Sequence, residues 1–127
     1  MTGRHTPKYL FTPAGRASWE YAKRYSKRQY SVEQTRQYFS DVMDIIEKLA
    51  DDPRRFAYRD DLAANTGLKI YGARRHYLIF AILPDNRIAI VAFEKKERDI
   101  LSILSKRSAE IRRELSHATP SPGHLHI

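Results

Sequence analysis

TPAGRASWEYAKRYSKRQYSVEQTRQYFSDVMDIIEKLADDP, residues 12–53, decides how the rest of the chain has to be arranged. Thr12 before Pro13 is a helix start: the threonine oxygen accepts a free amide of the first turn, and proline stands where its missing N–H would have been an orphan anyway. From there Gly15, Trp19, Ala22, Ser26 and Tyr30 recur in steps of three and four, among Arg16, Glu20, Lys23, Arg24, Lys27 and Arg28. This spacing predicts an amphipathic helix with a basic outer side. Ser31 followed by Gln34 is a capping box and opens a second helix. Its core stripe is Thr35, Tyr38, Phe39, Val42, Ile45, Ile46 and Leu49, with Asp41, Asp44, Glu47 and Lys48 turned outward. The helix ends near Asp51, where Asp52 and Pro53 stop it. With about one residue between them, the two helices have to lie antiparallel.

Upstream, residues 1–7 have no periodicity and read as a loose arm, and KYLFT (8–12) alternates like a short strand. Downstream, residues 54–67 are polar and irregular, a loop with room for one helical turn, leading to a strand around LKIY (68–71). RHYLIFAIL (75–83) and RIAIVAF (87–93) flank Pro84, Asp85 and Asn86, a good hairpin turn. Both strands are apolar at nearly every position, which predicts central strands covered on both faces. Leu101, Leu104, Ser108, Ile111 and Leu115 mark a third helix from Glu97 to Leu115, and residues 116–127 read as a disordered tail. The expected fold is α+β, in the order β-α-α-β-β-β, with a helical hairpin on a small mixed sheet and an extended C-terminal helix. One domain, residues 8–115, accounts for it, and there is no internal repeat.

At 127 residues there is room for a single core. Cysteine is absent, which excludes disulfides, thiolate metal sites and thiol nucleophiles and fits a reducing, cytoplasmic setting. No apolar run approaches the ~20 residues that span a bilayer, and the polar N-terminus has no signal-peptide core. A membrane role is not expected. The net charge of +8 favours an anionic partner, yet its distribution is uneven: +6 over residues 1–30, −4 over 31–53 and +6 over 54–115. An acidic middle segment predicts two faces with different partners.

The amphipathic helix after Thr12-Pro13, SVEQTRQY (31–38) running on to IIEKLADDP (45–53), GARRHYLIF (72–80), IAIV (88–91) and Arg98-Asp99 together resemble the ParE/RelE family of bacterial toxins. The resemblance covers about residues 8–99. It implies the toxin of a type II toxin–antitoxin system, encoded beside an antitoxin that wraps it. ParE-type members poison DNA gyrase, and RelE-type members cut mRNA on the ribosome. Many members carry a histidine after the last strand, where this chain has Lys95. RelE-type nucleases tend to have an aromatic acid/base near the C-terminal end of the sheet, and EKKERD (94–99) contains no tyrosine. The resemblance therefore points to gyrase inhibition by contact, with Arg74, Arg75, Lys95, Lys96 and Arg98 as the target surface.

The rival reading is a metal-independent mRNA endonuclease, which needs a base, an acid and fixed cations around the phosphate. Lys69 and Lys95 or His76 would then handle protons, and Arg74, Arg87 and Arg98 would hold phosphate. All of Lys69, Arg74, Arg75, Arg87, Lys95, Lys96 and Arg98 are expected at strand ends, as one basic patch. His76 is the only histidine outside the ends of the chain, and its position suits a structural role. His117, His124 and His126 lie in the tail, where a metal would have to order the chain, so no metal or other cofactor is expected. Trp19, Tyr38, Phe39 and Phe80 fall on core spacings. Tyr21, Tyr25 and Tyr71 do not, and are expected to form an apolar groove for the antitoxin's C-terminal segment. The third helix can cover the sheet, mediate a homodimer or extend the target surface. Nucleotide-binding glycine loops and a Ser–His–Asp arrangement are absent, so a small-molecule enzyme has no support. A third reading is a basic domain that binds nucleic acid nonspecifically.

Overall fold

The Thr12 hydroxyl accepts from the Gly15 amide and starts α1 (Pro13–Gln29). Ser31 and Gln34 exchange both bonds of the capping box at the head of α2 (Val32–Asp51). The computed structural model describes residues 7–118 and places these helices over a four-stranded sheet of order β1-β4-β3-β2. The strands are β1 (Tyr9–Phe11), β2 (Lys69–Ala73), β3 (His76–Ile82) and β4 (Ile88–Lys95). β1 runs parallel to β4 and the other pairings are antiparallel, so the sheet is mixed. The loop between α2 and β2 holds two single 3-10 turns, Pro53–Arg55 and Asp60–Leu62.

β4 is buried at every position from Ile88 to Phe93, because it carries helices on both faces. On one side Leu78, Phe80, Ile88, Ile90 and Phe93 meet Trp19, Phe39, Val42, Ile46 and Leu49 of the hairpin. On the other, Ile70, Ile79, Val91 and Ala92 meet Ile100, Leu104 and Ile111 of α3 (Ile100–Ala118). Each fully buried large side chain of this kind contributes ~1.5–3 kcal/mol. The register slips between Ile79 and Phe80, which pair with Ala92 and Ile90, leaving Val91 as the extra residue of a bulge. Val91 and Ala92 therefore both serve the α3 face, and Phe93 and Lys95 return to the side of α1.

α1 runs along β4 where β1 has ended. Thr12 N–H donates to the Ile90 carbonyl, and the Ser18 hydroxyl accepts from Phe93 N–H while donating to the Phe93 carbonyl. A serine side chain thus takes the place of a neighbouring strand. The approach is close enough that a Cβ on Gly15 would stand 2.0 Å from the Ile90 oxygen. At its far end α3 returns to this helix, where the Glu114 carboxylate accepts from Ala14 N–H at the positive N-terminus of α1.

Four expectations are corrected. Tyr30, placed on the buried stripe by its spacing, is the C-cap of α1 and 43% exposed. α3 starts at Ile100, not Glu97, because the Asp99 carboxylate accepts from Ser102 N–H and caps the helix there. That start turns Ile100 inward in place of Leu101, which is 42% exposed. The helix also continues through residues 116–118, where the composition predicts the start of a disordered tail. The rest of that tail, with His124 and His126, and the arm 1–6 lie outside the described residues. No helix among the described residues is long and apolar enough to cross a membrane.

Candidate binding rim

β2 and β3 join through a two-residue turn, Arg74 and Arg75, because Ala73 pairs with His76. Arg74 takes a φ of +60°, a conformation that glycine or asparagine adopts more readily, so the turn carries backbone strain. His76 in turn faces Lys95 across the β3–β4 ladder, and Lys96 N–H donates to the Arg75 carbonyl. One rim of the sheet therefore gathers Arg74, Arg75, Lys95, Lys96 and Arg98.

Tyr38 holds this rim from below. Its oxygen accepts the Arg75 backbone N–H at 3.0 Å, and the hydroxyl lies 2.7 Å from His76 Nδ1. A hydroxyl that donates to Nδ1 while accepting the Arg75 amide would place the proton of the neutral ring on Nε2. The imidazole stacks on Phe93 at 4.2 Å and is 4% exposed. Burial, followed by the charges of Arg75 and Lys95, pushes His76 down to about 4. Burial also raises Tyr38 above its ordinary value. Neither group exchanges a proton readily near neutral pH.

The rim cations lie over tyrosine rings. Lys95 Nζ is 3.6 Å from the Tyr25 centroid, and the Arg75 guanidinium is 4.5 Å from Tyr38 and 4.9 Å from Tyr30. Arg74 pairs with Asp41, and Arg98 with Glu94. Lys96 is on the opposite face, over Tyr77, whose hydroxyl accepts from Arg59. An open hollow of about 200 Å³ lies between α1 and the rim, walled by Tyr21, Tyr25, His76, Phe93, Lys95 and Arg98. Past Tyr25 and Lys95 it continues to Tyr30 and Arg75, and from there to Tyr38, Asp41 and Arg74.

Two of the seven expected cations are not here. Lys69 opens β2 and Arg87 precedes β4, and the antiparallel register puts both at the other end of the sheet. There Lys69 lies over Tyr58 and Arg87 pairs with Asp85. Lys69 and Lys95 are thus separated by the length of a strand, and Arg87 is far from Arg74 and Arg98. The tyrosines divide as well. Tyr21 and Tyr25 share the hollow, whereas Tyr71, on the edge strand, packs against Phe56 and Tyr58, so the three do not form one groove.

Tyr38 and Tyr30 are rim residues that the sequence reading missed. Tyr38 falls on the core stripe of α2 and is 6% exposed, so nothing in its spacing distinguishes a buried anchor with a working hydroxyl from plain packing. Tyr30 carried a signal, since the residue before a capping box is a helix end. Among the described residues no cluster of three His, Asp or Glu side chains is close enough to hold a metal ion. No family model matches this chain, and no protein of curated function matches its sequence at a significant level.

Proposed function

We propose that this chain is the toxin of a type II toxin–antitoxin system, and that it inhibits DNA gyrase, in the manner of ParE, by contact and not by turnover. The observation that carries this reading is the gathering of Arg74, Arg75, Lys95 and Arg98 on one rim, around an aromatic floor, with Lys96 on the other face of the same rim. The β-α-α-β-β-β order in a mixed sheet is consistent with it. Contact is favoured over mRNA cleavage by the proton inventory: burial pushes His76 down to about 4, and Lys69 is at the other end of the sheet from Lys95. Such a toxin works in the cytoplasm and is neutralised by a cognate antitoxin, for which the net charge of +8 favours an acidic segment.

The test is a supercoiling assay with purified gyrase. The chain should stop supercoiling and trap cleaved DNA, and the double change Arg75→Gln and Lys95→Gln should weaken this at least about tenfold at unchanged Tm. In cells, induction without antitoxin should give DNA breaks and filaments. Full supercoiling in the presence of excess protein, with transcripts cut in the ribosomal A site, would replace this reading with the nuclease.

A further inference from the structure

We infer that the seam on α1 between its outer cations and the rim binds an unpaired nucleic-acid strand, with bases against Tyr21 and Tyr25 and phosphates on Arg24, Arg28, Lys95 and Arg75. On a helix, 21 and 24, 21 and 25, 24 and 28, and 25 and 28 are neighbours at spacings of three or four, so Arg24 and Arg28 border the two tyrosines on the solvent side. Lys95 and Arg98 border them on the other, across the hollow. Tyr21 is 56% exposed, and among the described residues it stacks on no other aromatic ring. Tyr25 carries the Lys95 ammonium 3.6 Å from its centroid. In the wall between them lies His76, its Nδ1 engaged by Tyr38 and its other ring nitrogen without a hydrogen-bond partner among the described residues.

Charge is available for a strand. Glu94 is already held by Arg98, whereas Arg24, Arg28, Lys95 and Arg75 have no carboxylate partner among the described residues. Glu94, which lines the hollow, and Glu97, beside Lys95, are the acids that a phosphate would have to avoid. An acidic peptide would satisfy the cations and leave the exposed face of Tyr21 unexplained. A nucleotide presents a planar base and an anion side by side, which is the pairing of ring and cation along the seam. A duplex hides its base faces, so the seam fits a single strand better. The inference does not require gyrase as a target.

Fluorescence anisotropy of a labelled oligothymidylate of about twelve nucleotides, with the full chain, tests it. Binding should weaken with salt between about 50 and 200 mM, with a log–log slope of about −2 to −3 for four phosphate contacts. Tyr21→Ala should cost about tenfold in affinity at unchanged slope, and Arg24→Gln and Arg28→Gln should each reduce the slope by about 0.7. Tyr21 is exposed, so its variant should keep the parent Tm even where a Tyr25 variant does not. The inference fails with no binding at about 50 mM salt, with duplex bound as tightly, or with a Tyr21 variant that binds like the parent. It also fails if polyglutamate binds as well as the oligonucleotide, which would make the seam a site for an acidic peptide. Strand binding without gyrase inhibition upholds it and removes the proposed target, and gyrase inhibition without strand binding does the reverse.

Discussion

His76 shows how one side chain ties the rim to the stability of the fold. Its ring is stacked on Phe93, bonded to Tyr38 and flanked by Arg75 and Lys95, so the folded chain resists protonating it. The unfolded chain takes up this proton as the pH drops below about 6.5, and the folded chain only near 4. The unfolded state therefore binds more protons between these values, and stability is complete above the window and lost on descending through it. The loss by about pH 4 is up to about 3 kcal/mol. Urea denaturation at several pH values should show stability falling between about pH 6.5 and 5, before ordinary carboxylates contribute, and His76→Asn should flatten that part of the curve. Equal slopes in the two proteins would mean that the ring is not held neutral. The sequence marked His76 as the one central histidine with a structural role, but its partner on α2 lies 38 positions away and could not be read from spacing.

Among the elements, α1 has an unusual task, since it serves as a core helix and also closes the edge of β4. Glycine at 15 allows the approach and serine at 18 completes it, by pairing with the Phe93 N–H and carbonyl. Removing the hydroxyl would leave two backbone groups of buried Phe93 without partners, which costs about 1–3 kcal/mol. Ser18→Ala should lower the urea midpoint accordingly, and Ser18→Thr, which keeps the hydroxyl, should recover much of it. A loss under about 0.5 kcal/mol would show that water replaces the serine. The helix itself was legible from Thr12-Pro13 and its stripe. Its role as an edge was not, because a serine facing a strand and a serine facing solvent look alike in a sequence. The bulge at Val91 is similar: a run of apolar residues hides which face each one serves, and the slip is what brings Lys95 to Tyr25.

At the scale of the molecule, the two cores share β3 and β4, so neither helix layer can leave without exposing the same strands to water. A chain of this size with one shared sheet should unfold in a single step. Trp19, the only tryptophan, sits against Phe11, Phe39 and Phe93 and reports on the hairpin side alone. Its fluorescence and the far-UV circular dichroism, which includes α3, should give coincident urea transitions. An earlier dichroism transition would show that α3 leaves first and that the Glu114 contact to α1 is weak. The charge is divided on the same scale. Most carboxylates of α2 are exposed, Asp41 being the one that reaches the rim to pair with Arg74, whereas α1 and the rim are predominantly basic.

Caps, stripes and the turn at Asn86 are local matters, governed by hydrogen bonds and periodicity within a few residues, and so the residue order alone was sufficient for the elements, their sequence and the double-sided burial of β3 and β4. Which strand ends meet is a matter of register and chain direction. The antiparallel pairings carried Lys69 and Arg87 away from the cations they were grouped with and brought Tyr38 beneath Arg75, because side chains far apart in the chain become neighbours only when the sheet closes.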